Sequence, residues 1–289
     1  MSEFVITTES NCDLPKSYVE EHQIGVIPHY YTVDEEMYGE DKELTNKEFY
    51  DAMRAKKKAA TMASNPAVIL DRFTEYAKEG KDILHISFSS ALSCGYNNIV
   101  NGANEVLEEY PDRKIIVIDT LSASMCEGMM IMKAVEMRAE GKNIEETAEW
   151  IRAHVAKLCA VFTVDDLDYL YRGGRLSKSS AVLGSMINIK PILHINEEGK
   201  LVPISKVRGR KKSLTTLVDL MESKVGSYRD HQIMVTVVHG DCEDEANTLA
   251  DMIKERLGYQ EVMLAPIGPS IGAHSGPGTI GILFMGDER

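Results

Sequence analysis

The stretch "NPAVILDRFTEYAKEGKDILHISFS", residues 65–89, decides how the first half of this chain is read. Its first part has a helical pattern. Asn65 or Ser64 supplies a cap, Pro66 suits the first turn and Gly80 ends it. "DILHISFS" then reads as a short Ile-rich strand bounded by charged residues, as buried parallel strands are. "KIIVIDT" repeats that strand pattern. "FVITTES" and "IGVIPHYYTV" read as strands nearer the N-terminus. Strands alternating with helices predict a parallel sheet with helices on its faces.

The second half has a different pattern. "KPILHI", "NEEGK" and "LVPISKVR" predict an antiparallel hairpin with Gly199 in the turn. A helix is expected from about Lys211 to Gly226. Strand "IMVTVVHG", helix "DEANTLADMIKERLG", strand "EVMLAPI", a glycine loop and strand "TIGILF" follow. The change of pattern places a boundary near residue 160. The expected fold class is α/β with two packed α/β domains. An N-terminal parallel-sheet domain (1–160) precedes a C-terminal domain with a mixed or antiparallel sheet (161–289), and the ligand site is expected between them.

Composition narrows the function classes. The 289 residues are 44% hydrophobic and 27% charged, as in soluble globular proteins. No apolar run reaches the roughly 18 residues that span a bilayer, so no integral membrane segment is expected. "MSEFVITTES" lacks a basic segment and an apolar signal core, which predicts no export. The five cysteines form no C-x-x-C pair. That argues against a zinc site or disulfide framework and fits a reducing cytoplasm. A net charge of −13 disfavours nonspecific nucleic-acid binding.

Near the carboxyl end, "HSGPGTIG" (274–281) matches the G-x-G-x-x-G pattern of dinucleotide loops. That pattern needs a following helix, whereas "TIGILFMG" reads as a strand. Pro277 also removes one N–H from a phosphate cradle. No G-x-x-x-x-G-K-[ST] segment occurs, so no cofactor is expected and the chain alone should not bind ATP. His274, inside this loop, has two readings: a turn residue, or a donor to an anion or proton shuttle.

Three loops after strands are rich in hydroxyls: "TTESNCDLP", "SFSSALSCGYNN" and "IDTLSASMCEG". Each such residue taken singly has an ordinary role as a helix cap. Three hydroxyl-rich strand ends in one half point to a site for a polar head group. Ser93 lacks the G-x-S-x-G elbow of a hydrolase nucleophile. In "YRGGRLSK" (171–178), Arg172 and Arg175 flank two glycines, and arginine forks suit carboxylate or phosphate. Surface ion pairing across a turn is the plainer reading. "SKVRGRKKS" adds Lys206, Arg208, Arg210, Lys211 and Lys212, a solvated face or a docking patch for an anionic partner. His239 has Asp241 and Asp244 nearby without metal-ligand spacing, and Asp241 reads as a helix N-cap, so no metal is expected. Met125, Met129, Met130, Met132 and Met137 crowd one helix, where they line a core or an adaptable apolar cavity.

Taken together, "TTESNCDLP", Thr61 before "NPA", "SSALS", "IDTLSASM", "YRGGRLSK", "NIKPIL", "KVRGRKKS" and "IGAHSGPGTIG" resemble the DegV family, in its motif order, from about Val5 to Phe284. DegV proteins resemble the fatty-acid-binding (B) subunits of bacterial fatty acid kinase. The resemblance implies a lipid-binding protein without catalytic residues of its own. It would bury a long-chain fatty acid and present the carboxylate to a separate ATP-dependent kinase subunit for acyl phosphate formation. It implies that Thr61, matching a T-S-Q-P segment, and Ser93, matching L-S-G-T-Y, hold the carboxylate. Arg172, Arg208 and His274 match positions at the site mouth, associated with the head group and with docking of the kinase subunit. Three departures stand out. "MASNPA" replaces S-Q-P-S after Thr61, "CGYNN" replaces G-T-Y-Q after Ser93, and Glu9 replaces an Asp. Competing readings are a stand-alone phosphotransferase or hydrolase using His274 and the arginines, and a regulatory module for another apolar ligand.

Overall fold

The computed structural model describes residues 4–177 and 188–289. In chain order they form β1 (Phe4–Glu9), α1 (Lys16–Glu21), β2 (Gly25–Ile27), β3 (Tyr31–Val33), β4 (Glu36–Tyr38), α2 (Asn46–Arg54) and β5 (Ala59–Thr61). Then come α3 (Pro66–Lys78), β6 (Asp82–Ser87), α4 (Gly95–Glu109), β7 (Ile115–Asp119), α5 (Met125–Ala139) and α6 (Ile144–His154). The remainder is β8 (Leu158–Thr163), α7 (Asp168–Arg172), β9 (Ile189–Ile195), β10 (Leu201–Arg208), α8 (Arg210–Lys224), β11 (Thr236–His239), α9 (Glu243–Leu257), β12 (Met263–Pro266), α10 (Pro269–Ser275) and β13 (Ile280–Met285).

The chain divides into two compact units. Met1–Tyr30 and Met62–Val155 make the first, and Tyr31–Thr61 and Ala156–Arg289 the second. The first unit holds a parallel four-stranded sheet in the order β2-β1-β6-β7. Every residue of β1 and β6 is buried, because these central strands are covered on both faces. Val5 and Ile83 pack with Ile69, Phe73, Ile99, Ala103 and Val106 of α3 and α4. The alternate residues point the other way, where Thr8 meets Glu127 of α5. Asn65 caps α3 by accepting the Ala67 N–H at 3.0 Å, with Pro66 in the first turn and Gly80 at φ 78° beyond its end.

The second unit holds a mixed six-stranded sheet, β10-β9-β8-β13-β11-β12, in which β11 and β12 pair in parallel and the other described neighbours pair antiparallel. Its core gathers Leu217, Val218 and Met221 of α8, Leu249 and Ile253 of α9, and Ile280, Ile282 and Phe284 of β13. The expected hairpin forms as β9 and β10, with Gly199 at φ 75° in the connection. A smaller antiparallel sheet, β4-β3-β5, belongs to the same unit. There Tyr31, Val33, Phe49, Tyr50 and Met53 pack with Ala273 of α10.

Three sequence expectations change here. "IGVIPHYYTV" is two strands, β2 and β3, separated by Pro28, which has no N–H for a ladder. The break matters, because β2 belongs to the first unit and β3 to the second. Residues 31–61, expected within a 1–160 domain, therefore pack with the second unit through the Phe49 and Tyr50 rings. Asp241 does not cap α9. It takes φ 55° and pairs with the Arg54 guanidinium, whose Nη2 also donates to the Asp241 carbonyl at 3.0 Å.

Gly102 tests the packing of the first unit. A Cβ there would stand 2.6 Å from Ile69 Cγ2, so α4 approaches α3 only because the residue has no side chain. Alanine in place of glycine stabilises an isolated helix by about 1 kcal/mol. Overpacking a core costs about 1–3 kcal/mol. Gly102→Ala should therefore lower the urea midpoint despite its better helix propensity, and Ile69→Val in the same chain should recover part of the loss.

Candidate functional site

Thr61 is the last residue of β5 and pairs in register with Tyr31 of β3. That register brings its Oγ1 to 2.8 Å from Nε2 of His274, the penultimate residue of α10. Gly173 backs the imidazole from behind. A Cβ on Gly173 would sit 2.3 Å from His274 Nδ1. Gly173 has helical φ of −72° and is needed for space, whereas its neighbour Gly174 sits at φ 72° and is needed for conformation. His274 Nδ1 has no hydrogen-bond partner among the described residues. Burial and, secondarily, the nearby Arg175 charge lower the His274 pKa to about 4. The ring is thus neutral at physiological pH. A proton on Nδ1 would be a buried donor without an acceptor among the described residues. The geometry therefore favours the Nε2–H tautomer, which donates to Thr61 Oγ1 and leaves the threonine proton free to turn outward.

The glycine segment is no pyrophosphate cradle. Residues 269–275 are the helix α10, and the expected strand follows as β13. The glycines serve close packing. A Cβ would stand 2.5 Å from Tyr50 Oη at Gly272, 2.4 Å from Tyr169 Cδ2 at Gly276 and 2.2 Å from Asp165 Oδ2 at Gly278. The turn is tied down by Gly278 N–H donating to the Gly240 carbonyl at 2.7 Å and by Arg210 Nη2 donating to the Gly278 carbonyl at 2.7 Å.

Arg172 and Arg208 are exposed. Arg172 lies over the Tyr169 ring at 5.0 Å, and its Nε donates to the Asp168 carbonyl at 3.3 Å. Arg208 ends β10 opposite Ile189. Arg210 separates from the basic run, because its guanidinium is committed to Glu245 at 2.8 Å and to the glycine turn. Lys206, Lys211 and Lys212 remain exposed beside Arg208 in sequence. Lys178, the last residue of "YRGGRLSK", lies outside the described residues.

In the first unit, all three hydroxyl-rich loops follow the carboxyl ends of parallel strands, and chain order reverses between β1 and β6. Ser93 precedes α4, and its Oγ accepts the Gly95 N–H at 3.0 Å. Beside it lies a buried polar network that the sequence reading did not assemble. Glu9 accepts from Ser87 Oγ at 3.1 Å and from the Phe88 N–H at 3.2 Å, and His85 Nε2 lies 3.3 Å from its Oε2. His85 Nδ1 is 2.9 Å from Thr7 Oγ1. Glu127 accepts from Thr8 Oγ1 at 2.6 Å, while its Oε2 has no partner among the described residues. The available signal was a histidine and a run of hydroxyl and acidic residues inside otherwise apolar parallel strands. Of the methionines on α5, Met125, Met129, Met130 and Met137 are buried there as core.

The two carboxyls differ in charge state. Burial opposes ionisation of Glu9, but the hydrogen bond and electrostatic pull of His85, helped by His29 and the Phe88 N–H, hold its pKa below the usual 4.5. Burial, and then the Glu9 charge, push Glu127 well above 4.5, so it is a neutral acid. No group of three or more His, Cys, Asp or Glu side chains among the described residues is placed to hold a metal ion. None of the described helices is long and apolar enough to cross a membrane.

Two measurements check these assignments. Glu127 has a higher pKa folded than unfolded, so folding takes up a proton and its contribution to stability declines as pH rises above 4.5. Glu9 has the opposite sign, and its contribution is lost only as pH falls below 4.5. Between about pH 5 and about pH 8, Glu127→Gln should gain stability relative to the parent chain as pH rises. Parallel denaturation profiles would contradict the neutral acid. For His274, imidazole ¹⁵N shifts should report an Nε2–H ring that does not titrate between about pH 8 and about pH 5. A protonation midpoint near the ordinary histidine value would contradict the assignment.

Comparisons with known proteins identify the family and the fold. A family model described as an uncharacterised protein, DegV family, matches residues 3–287. A DegV domain-containing protein of Clostridium perfringens is 39% identical over 291 residues, covering 100% of this chain and 99% of the relative. Among solved structures, a stearic-acid-binding protein from Eubacterium ventriosum superposes with a TM-score of 0.88 at 25% identity, covering 98% of each chain. DegV of Bacillus subtilis, a fatty acid binding protein, has a TM-score of 0.85 at 27% identity, covering 99% of this chain and 100% of the other. With its parallel-sheet first unit, its mixed-sheet second unit and a sequence match along nearly its whole length, the chain belongs to the DegV family.

Proposed function

We propose that this chain binds a long-chain fatty acid, holds its carboxylate with the hydroxyls of Thr61 and Ser93, and presents it to a separate ATP-dependent kinase subunit for conversion to acyl phosphate. The observation that carries the reading is the Thr61–His274 pair. A neutral imidazole that donates to a hydroxyl oxygen turns that hydroxyl into a dedicated donor. Hydroxyl donors satisfy a carboxylate that would otherwise cost several kcal/mol to bury. The solved relatives that bind stearic acid and other fatty acids support the choice of ligand. An acyl chain of about sixteen carbons would gain on the order of 10 kcal/mol from burial at about 0.8 kcal/mol per CH₂. Immobilising chain and protein offsets much of that gain.

The exposed Arg172 and Arg208 are assigned to docking of the kinase subunit, because a cation exposed at the surface steers an anionic partner without joining the carboxylate site. His274, grouped with those arginines by resemblance, is assigned to Thr61 instead, on the distance between them.

Mass spectrometry of ligand released from the purified protein should find fatty acid at near-stoichiometric yield. Thr61→Ala and Ser93→Ala should each weaken binding roughly tenfold or more, as loss of a hydrogen bond to a charged group does. Arg172→Ala should leave fatty acid bound and lower phosphorylation by an added kinase subunit. Protein that releases no lipid and takes up none would overturn the proposal, and lipid loss with normal transfer in the arginine variant would overturn the docking assignment.

A further inference from the structure

A second hydroxyl held by an imidazole lies three positions beyond Thr61. Ser64 is fully buried, and its Oγ lies 3.0 Å from His29 Nε2. The Ser64 carbonyl accepts from Asn98 Nδ2 at 2.9 Å, which ties it to the first turn of α4. His29 is itself anchored, its backbone N–H donating to Ser10 Oγ at 2.9 Å. Burial lowers the His29 pKa.

Gly95 opens α4 beside Ser64. An ideal Cβ at Gly95 would stand 3.2 Å from Ser64 Oγ, 3.3 Å from Ser93 Oγ and 3.8 Å from Glu9 Oε1. Gly95 is the first residue of a regular helix, and it is not among the positive-φ glycines. Its missing side chain therefore answers a question of space, and Ser64 takes that space. Two departures noted in the sequence fall at these same positions. With the T-S-Q-P segment set on Thr61, a hydroxyl is present at 64 in place of Pro. With L-S-G-T-Y set on Ser93, a hydroxyl is absent at 95. The Ser64 hydroxyl lies within contact distance of where a side chain at position 95 would stand.

We propose that Ser64 and Gly95 are a matched pair, in which the Ser64 hydroxyl, held by His29, fills the place of a side chain at position 95 and positions Ser93 for a ligand carboxylate. Ser64 is a positioning residue and acts through α4. The Gly95 N–H bonded to Ser93 Oγ sets the direction of that hydroxyl, and the Asn98–Ser64 bond holds the turn that carries it. The carboxylate as ligand rests on the fatty-acid reading above; the pairing itself does not.

The test is fatty-acid affinity, with unfolding midpoints as a parallel readout, in the parent chain, Ser64→Ala, Gly95→Thr and the double variant. Ser64→Ala should weaken binding roughly three- to tenfold. Gly95→Thr should weaken binding in the parent, where its side chain meets Ser64, and restore it in the Ser64→Ala chain, where the space is free. In a Ser93→Ala background, Ser64→Ala should cause no further loss, because its effect passes through Ser93. Unchanged affinity in Ser64→Ala, an effect of Gly95→Thr with the same sign in both backgrounds, or losses that add with Ser93→Ala would each overturn the proposal. Should Ser64→Ala fail to fold, Gly95→Thr in the parent carries the test, and unchanged affinity there overturns it. If the parent binds no fatty acid, the ligand reading fails, and the reversal of sign is then read in the unfolding midpoints.

Discussion

The hydrogen bond between Thr61 Oγ1 and His274 Nε2 joins parts of the chain that are remote in sequence. It closes the small β4-β3-β5 sheet onto α10, in the same cluster where Phe49, Tyr50 and Ala273 exclude water. Much around it follows from the need to seat a neutral imidazole there. Gly173 leaves room behind the ring, and Gly272 and Gly276 let α10 and its turn lie against Tyr50 and Tyr169. A desolvated ring beside Arg175 stays unprotonated at physiological pH.

Polar groups in the first unit meet burial differently. Glu9 is surrounded by donors and keeps its charge, whereas Glu127 has fewer donors and keeps its proton. Placing two carboxyls at the reversal point of a parallel sheet is tolerable because only one is ionised. Asp13, Leu121 and Ser124 take positive φ in the loops around this end of the sheet.

Charge is sorted in the second unit by commitment. Arg210 lies in the same run as Arg208, yet it is held by Glu245 and the Gly278 carbonyl. Arg208 and Arg172 remain at the surface. A run of basic residues in sequence is therefore not one patch. Arg208 ends β10 and Arg210 opens α8, with Gly209 at φ 88° turning the chain between them, and Glu245 captures the second guanidinium.

Local patterns in the amino-acid sequence were enough for the parallel strands, the β9–β10 hairpin, the capped α3 helix and the strand after the glycine segment. Each is set by residues within one element: Ile-rich runs, Asn65 with Pro66, Gly199 in a turn. Motif resemblance singled out Thr61 and His274 without saying that they touch. Only the tertiary structure decided that β2 and β3 part at Pro28, that residues 31–61 pack with the second unit, that Asp241 pairs with Arg54, and that Ser64 fills the space beside Gly95. It also decided which of two buried glutamates keeps its proton. The physical reason is common to all of these. Propensity and periodicity act over a few residues, whereas steric space, hydrogen-bond partners and local dielectric at a buried atom are set by whatever distant segment folds against it.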